Sequence, residues 1–352
     1  MNRRAFTLIE VLAVAVILIV LVAIAIPAFT NMIKSSNRAR AENSLRLAID
    51  AARDAAIRSI DGGDAAAVFR FEPGGSLSIV IGTAAGEYAP STALSAGDGT
   101  PRDIFVADST VPVFNLPTNY LVRGLATPST IGNFGTGFSN YADWYENYAA
   151  GDRYDEEDLN WVLPETGFFD PTKGDEGAKR QTFMIRFAAG TGAVAVENSD
   201  EGLFFDPPPF RTRDDYHTSG IWSSTDFRPD LSDDHRRLVR RALFDSSLSP
   251  ADRDELIGDQ ATDTVLVRSV AQIGLYDVRD LAAELRARGV SGFRGVDART
   301  GSLYSSSGDG LIEPTFEYAE AVNEVFPSVA KLFVAERYSG SLLTIPSAED
   351  PN

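Results

Sequence analysis

The stretch AFTLIEVLAVAVILIVLVAIAIPAF, residues 5–29, decides how the rest of the chain is read. From Val11 to Ile26 every residue is apolar, and Phe6, Leu8, Ile9, Ala28 and Phe29 extend that character to either side. A helix needs roughly 20 residues at ~1.5 Å each to cross the hydrocarbon of a bilayer, and this run with its flanks has that length. Arg3 and Arg4 precede it, so the positive-inside tendency keeps the first residues cytoplasmic and sends everything after Met32 across. Small residues at Ala23, Ala25 and Ala28 leave a plain signal peptide or a plain anchor as the alternative readings. Glu10 fits neither. A carboxylate beside lipid costs about 3 kcal/mol, and such residues usually have a partner and a task.

Charge divides the chain at the same place. Residues 1–60 carry 8 Lys/Arg against 4 Asp/Glu, which leaves 24 against 46 in the remainder, a net of -22 out of the total of -18. An acidic body lacks the clustered cations that phosphate neutralisation needs, so no nucleic-acid partner is expected. With no cysteine, disulfides, thiolate metal sites and thiol nucleophiles are excluded. At 352 residues and 44% hydrophobic composition, the chain can bury one large or two ordinary cores.

Beyond Pro27 the pattern turns amphipathic. Leu45, Ala48, Ile49, Ala52, Ala55, Ala56 and Ile60 recur at helical spacing among charged residues, so one helix is expected to continue to about Ser59 and stop at Gly62 and Gly63. From Phe6 to Ile60 such a helix is about 80 Å long, and Pro27 removes one of its hydrogen bonds. AAAVFRFEPGGSLSIVIG (65–82) reads as a β-hairpin around Pro73, Gly74 and Gly75, and TFMIRFAAGTGAVAV (182–196) as a second strand pair turning at Gly190-Thr191-Gly192. From Asp230 the texture is helical: Ser232 caps a helix through Phe244, Ser249 and Pro250 begin another, and Asp277 caps VRDLAAELRAR ahead of Gly289. VDARTGSLY (296–304) reads as a tight turn, and FEYAEAVNEVF (316–326) as a last helix ended by Pro327.

A-F-T-L-I-E followed by the apolar run, with Pro27 beyond it, resembles the class III leader and N-terminal helix of type IV pilins and type II secretion pseudopilins. The resemblance implies cleavage between Ala5 and Phe6 by a prepilin peptidase, N-methylation of the new Phe6 amine, and retention of the apolar segment. It also implies that Glu10 pairs with the first-residue amine of a neighbouring subunit as helices bundle; two opposite charges in low dielectric relieve each other's desolvation. Ala5 departs from the usual Gly before the cut. The order of stem helix (43–59) and hairpin resembles minor pseudopilins of the H type; the K type, suggested by the large body, typically lacks an acid at the position of Glu10.

Catalytic signatures are scarce. There is no G-x-S-x-G, H-E-x-x-H, Walker A or strand-borne G-x-G-x-x-G sequence. GNFGTGF (132–138) reads as a loop, and His217 and His235, each without a His at i+3 or i+4, as solvated surface histidines. Asp152, Asp155, Glu156, Glu157 and Asp158, with Asp170 and Asp175, are candidate oxygen ligands for calcium, a hard cation, against the bland reading of a solvated charge run. Trp144, Tyr145, Tyr148, Tyr154 and Trp161 are either a binding face or core.

The expectation is an α+β protein: leader 1–5, transmembrane and stem helix 6–60, a β-rich pilin-like head 61–229 with long loops, and a helical insertion with a C-terminal α/β part at 230–352. The stem is expected to pack on a twisted antiparallel sheet. The functional expectation is a structural subunit of a type IV pilus-like or type II secretion filament, anchored once in the inner membrane with its head periplasmic or extracellular. Its partners would be other pilin or pseudopilin subunits, the prepilin peptidase and the assembly machinery, with no cofactor unless calcium. A filament-tip adhesin or cargo-binding module is the alternative, and a membrane-tethered enzyme using paired carboxylates is the third.

Overall fold

The computed structural model describes residues 8–59, 62–71, 76–88, 101–126, 161–162, 181–195, 201–206, 232–246, 248–249, 253, 264–288 and 316–345. The protein is α+β, with a long apolar N-terminal helix and two sheets. Helix α1, Leu8–Ile57, runs unbroken through position 27. Its 50 residues give a rod of about 75 Å. It ends two residues before the expected Ser59, where Arg58 N donates back to Asp54 O at 3.0 Å, and Gly62 follows at φ 70°.

Strands β1 (Ala65–Phe71) and β2 (Leu77–Tyr88) form the expected hairpin, with Phe71 opposite Leu77. After β3 (Arg102–Ala107), β4 (Phe114–Asn115), β5 (Tyr120–Ala126) and β6 (Trp161–Val162), the pair β7 (Gln181–Phe187) and β8 (Val194–Ala195) turns through Gly190 and Gly192, both at positive φ. Strand β9 is Glu201–Phe205 and β10 is Thr264–Ser269. The order β1-β2-β3-β9-β10-β7 closes because β7 also pairs with β1, giving a six-stranded barrel.

Alternation along these strands separates two cores. Ala66, Val68, Val80, Phe105, Met184, Phe204, Val265 and Val267 fill the barrel. Ala65, Ala67, Phe69, Leu77, Ile79, Ile81, Phe183, Ile185 and Phe187 face outward and join the core around α1. Each mouth of the barrel is closed by charge on the inward parity: Arg186 bonds Asp64 at 2.8 Å and Asp103 at 2.5 Å, and Arg70 bonds Asp206 at 3.1 Å beside Ser78.

The second sheet has the order β13-β12-β11-β5-β6, with β11 at Gln272–Asp277, β12 at Lys331–Ala335 and β13 at Leu342–Thr344. Only Val270 and Ala271 separate β10 from β11, so one bent strand leaves the barrel and enters this sheet. Val270 N still donates to Met184 O at 2.9 Å, and β8 takes over the side of β7 that β10 vacates. Helix α2 (Ser232–Phe244) covers β2 and β3 through Leu238, Val239 and Ala242, and the same core takes in Leu203 and Phe205 of β9. Helix α3 (Val278–Ala287) is capped by Asp277, whose carboxylate accepts from Arg279 N, and it packs with α4 (Phe316–Val329) on the second sheet.

Three expectations need correction. The sheet is not antiparallel throughout. Pairs β1–β2, β1–β7 and β2–β3 are antiparallel under and beside the stem, but β3–β9 and β10–β7 are parallel, because β9 and β10 return from long connections to close the barrel. The stretch 230–290 is not helical throughout, since the bent β10–β11 strand runs between α2 and α3; at the expected Ser249 start, Arg253 is helical and its N donates to Ser249 O at 3.1 Å. Pro327 does not end α4. The helix continues to Val329 because Ser328 Oγ donates to Val325 O and Ala330 N to Phe326 O, while the Phe326 ring lies so close to Gly274 that a Cβ there would collide with it. The turn at 296–304 and Gly289 lie outside the described residues.

Candidate assembly surface

Helix α1 has two parts with opposite surroundings. Its face of Leu45, Ala48, Ile49, Ala52, Ala55 and Ala56 is buried, as the spacing predicted, and Ala41 extends that face by a turn; Ile60 lies outside the described residues. Small side chains let two surfaces come close at once. One is the outer wall of β1, β2 and β7, which comes closest; the other is the second sheet, whose Ile273 and Phe333 belong to the same core.

Polar anchors fix the register of the stem. Lys34 Nζ meets Asp280 at 2.8 Å, and the Tyr120 hydroxyl donates to Lys34 O at 3.1 Å. Lys331 Nζ reaches Glu42 at 2.6 Å. Arg46 stacks over the Phe333 ring at 5.4 Å and donates to Leu342 O and to Thr344 Oγ1. At the far end Gly190 N donates to Ala56 O, and Gly192 and Gly340, both at positive φ, leave no room for a Cβ against Arg53 and Ile57. Burial, followed by the nearby Asp277 charge, holds the Tyr120 phenol above its ordinary pKa.

From Leu8 to Ile33 the described side chains of the same helix touch none of this. Seventeen large apolar side chains, among them Leu12, Ile17, Ile19, Val22, Ile24 and Phe29, are each at least 52% exposed. Each would gain about 1.5–3 kcal/mol on leaving water, so water is not the environment that the arm is built for. Nine of the sixteen residues from Val11 to Ile26 are Val or Ile, weak helix formers in water. Lipid reverses that preference, because a backbone in hydrocarbon must satisfy its hydrogen bonds internally. The arm is long and apolar enough to cross a membrane.

Of the predicted processing and assembly residues, Glu10 and Pro27 lie within the arm, while Ala5 and Phe6 lie outside the described residues. So do the calcium candidates Asp152, Asp155, Glu156, Glu157, Asp158, Asp170 and Asp175, the GNFGTGF loop, His217, and Trp144, Tyr145, Tyr148 and Tyr154. Among the described residues no group of three acids or histidines is placed to hold a metal. Trp161 begins β6 opposite Ala126. His235 corrects the expectation of a solvated histidine: it is half-buried on α2, its ring edge-to-face with Phe205 at 5.5 Å. The anchors Lys34, Tyr120, Asp280, Arg46 and Lys331 carried no motif. Lys34 and Arg46 lie on α1 and the other three meet it from distant parts of the chain, so only the folded arrangement singles them out.

Comparisons with protein-family models, with curated proteins and with solved structures give no match.

Proposed function

We propose that the chain is a non-enzymatic structural subunit of a filament, a minor pilin or pseudopilin of a type IV pilus-like or type II secretion assembly. It sits in the inner membrane by α1, is cut by a prepilin peptidase between Ala5 and Phe6, and joins other subunits through that helix with its head on the far side. The observation that carries this reading is the division of α1: a stem clasped on two sides by its own head, continuous with an apolar arm the head leaves bare. A plain anchor needs no carboxylate in its first turns. In a helix bundle Glu10 has a use, as acceptor for the freed amine of an adjoining copy. The stem followed directly by the β1–β2 hairpin supports the H type among minor pseudopilins.

Glu10→Leu tests it in a host that possesses the peptidase and assembly machinery. Processing and membrane insertion should be unchanged, while incorporation into filaments, measured on sheared fractions, should fall at least tenfold. Normal incorporation of that variant would refute the pairing role.

A further inference from the structure

Where the head clasps the stem, one narrow face of α1 is left bare. Arg40, Asn43, Leu47, Asp50 and Asp54 recur at spacings of three and four residues and are all exposed, Leu47 to 59%. Toward the arm the same face continues through Ser36, Ile33 and Phe29, all exposed. The ion pairs of the stem run through Lys34, Arg38 and Glu42; among the described residues none involves Arg40, Asp50 or Asp54.

Resting on the assembly reading above, we propose that this face contacts a second copy of the chain, a different neighbour from the one whose first-residue amine meets Glu10, whose helix runs parallel and shifted by the fourteen residues separating Arg40 from Asp54, so that Arg40 meets Asp54 and Ile33 meets Leu47. The shift is about 21 Å. In register, Asp50 would face Asp50 and Asp54 would face Asp54, an arrangement that like-charge repulsion disfavours. Shifts that return the same helix face to the contact lie near whole turns, at about 4, 7, 11, 14 or 18 residues. A shift of four sets Asp50 against Asp54, and one of seven sets Leu47 against Asp54. Eleven sets Ser36 against Leu47 and Arg40 against Ala51; eighteen sets Arg40 against Arg58. Fourteen joins unlike charges, brings two large apolar side chains together and places the Ser36 hydroxyl opposite Asp50. The barrel and the second sheet pack on the other faces of the stem, which leaves this face for a second helix.

The chain has no cysteine, so a disulfide can report the register directly. A disulfide needs Cα atoms about 4.4–6.8 Å apart, and positions 40 and 54 of one helix are about 21 Å apart; any bond between them joins two copies. The full chain carrying Arg40→Cys and Asp54→Cys, oxidised in the membranes of a host with prepilin peptidase, should give a ladder of trimers and longer products on non-reducing electrophoresis. Contact of Ile33 with Leu47 holds the register in that variant. Arg40→Cys or Asp54→Cys alone should remain monomeric. Filaments without the ladder, or dimers from either single variant, would overturn the register and leave the assembly reading standing. Absence of any filament or oligomer from the unsubstituted chain would overturn both. Asp54→Arg should lower assembly several-fold and adding Arg40→Asp should restore it; failure to restore counts against the pairing.

Discussion

Arg186 stands on the inward face of β7, 12% exposed, between Asp64 and Asp103 and 5.5 Å from the Phe105 ring centroid. Removing it leaves two carboxylates at the barrel mouth without their counter-charge. Such a loss costs about 3–5 kcal/mol at full burial, and somewhat less here because Asp103 is 31% exposed. Lys34 and Asp280 are both nearly half exposed, so breaking their pair costs about 0–1 kcal/mol. Denaturant midpoints of the full chain in detergent should therefore fall well below native for Arg186→Met and barely move for Lys34→Met. Equal shifts would contradict the ranking. Neither role was legible in sequence. Arg186 sits in a strand called correctly, but which carboxylates it meets depends on β1 and β3 arriving beside it. His235 was misread for a like reason, since its Phe205 neighbour comes from a different element.

At the scale of elements, helix α1 was legible almost throughout, because a 3.6-residue period and an unbroken apolar run are local signals. So were the β1–β2 and β7–β8 pairs, whose turns carry the Gly and Pro that hairpins need. The neck where the arm meets the head was not. There Tyr120 spans from β5 to Lys34 O, and its raised pKa makes the joint pH-dependent. A phenol whose folded pKa lies above its unfolded value near 10 contributes stability that is complete below that value and lost as pH rises through the folded one. Thermal midpoints should accordingly drop more steeply above pH ~10 in the native chain than in Tyr120→Phe. That variant starts lower by about 1 kcal/mol through loss of the hydrogen bond. Parallel pH profiles for the two proteins would rule out the coupling.

In the whole molecule the barrel and the second sheet share the bent β10–β11 strand and one stem between them. Neither can unfold without exposing the apolar face of α1 to water, so both should melt together. Near-ultraviolet and far-ultraviolet circular dichroism of the head signals should give one coincident transition in denaturant; two separated midpoints would show the sheets to be independent. The sequence by itself determined the apolar arm, the amphipathic stem, the local hairpins and the Asp277-capped helix, because each is written in neighbouring residues whose periodicity and turn chemistry act over a few turns or strands. Only the tertiary structure decided that β7 closes a barrel onto β1, that Gly202 lies beside Asp103 and Leu266 beside Gln181 in parallel register, and that one strand serves two sheets. Those pairings join residues far apart in the chain. Their loop-closure entropy is offset only when the strands and the stem bury their apolar faces together, and no short window of sequence carries that sum.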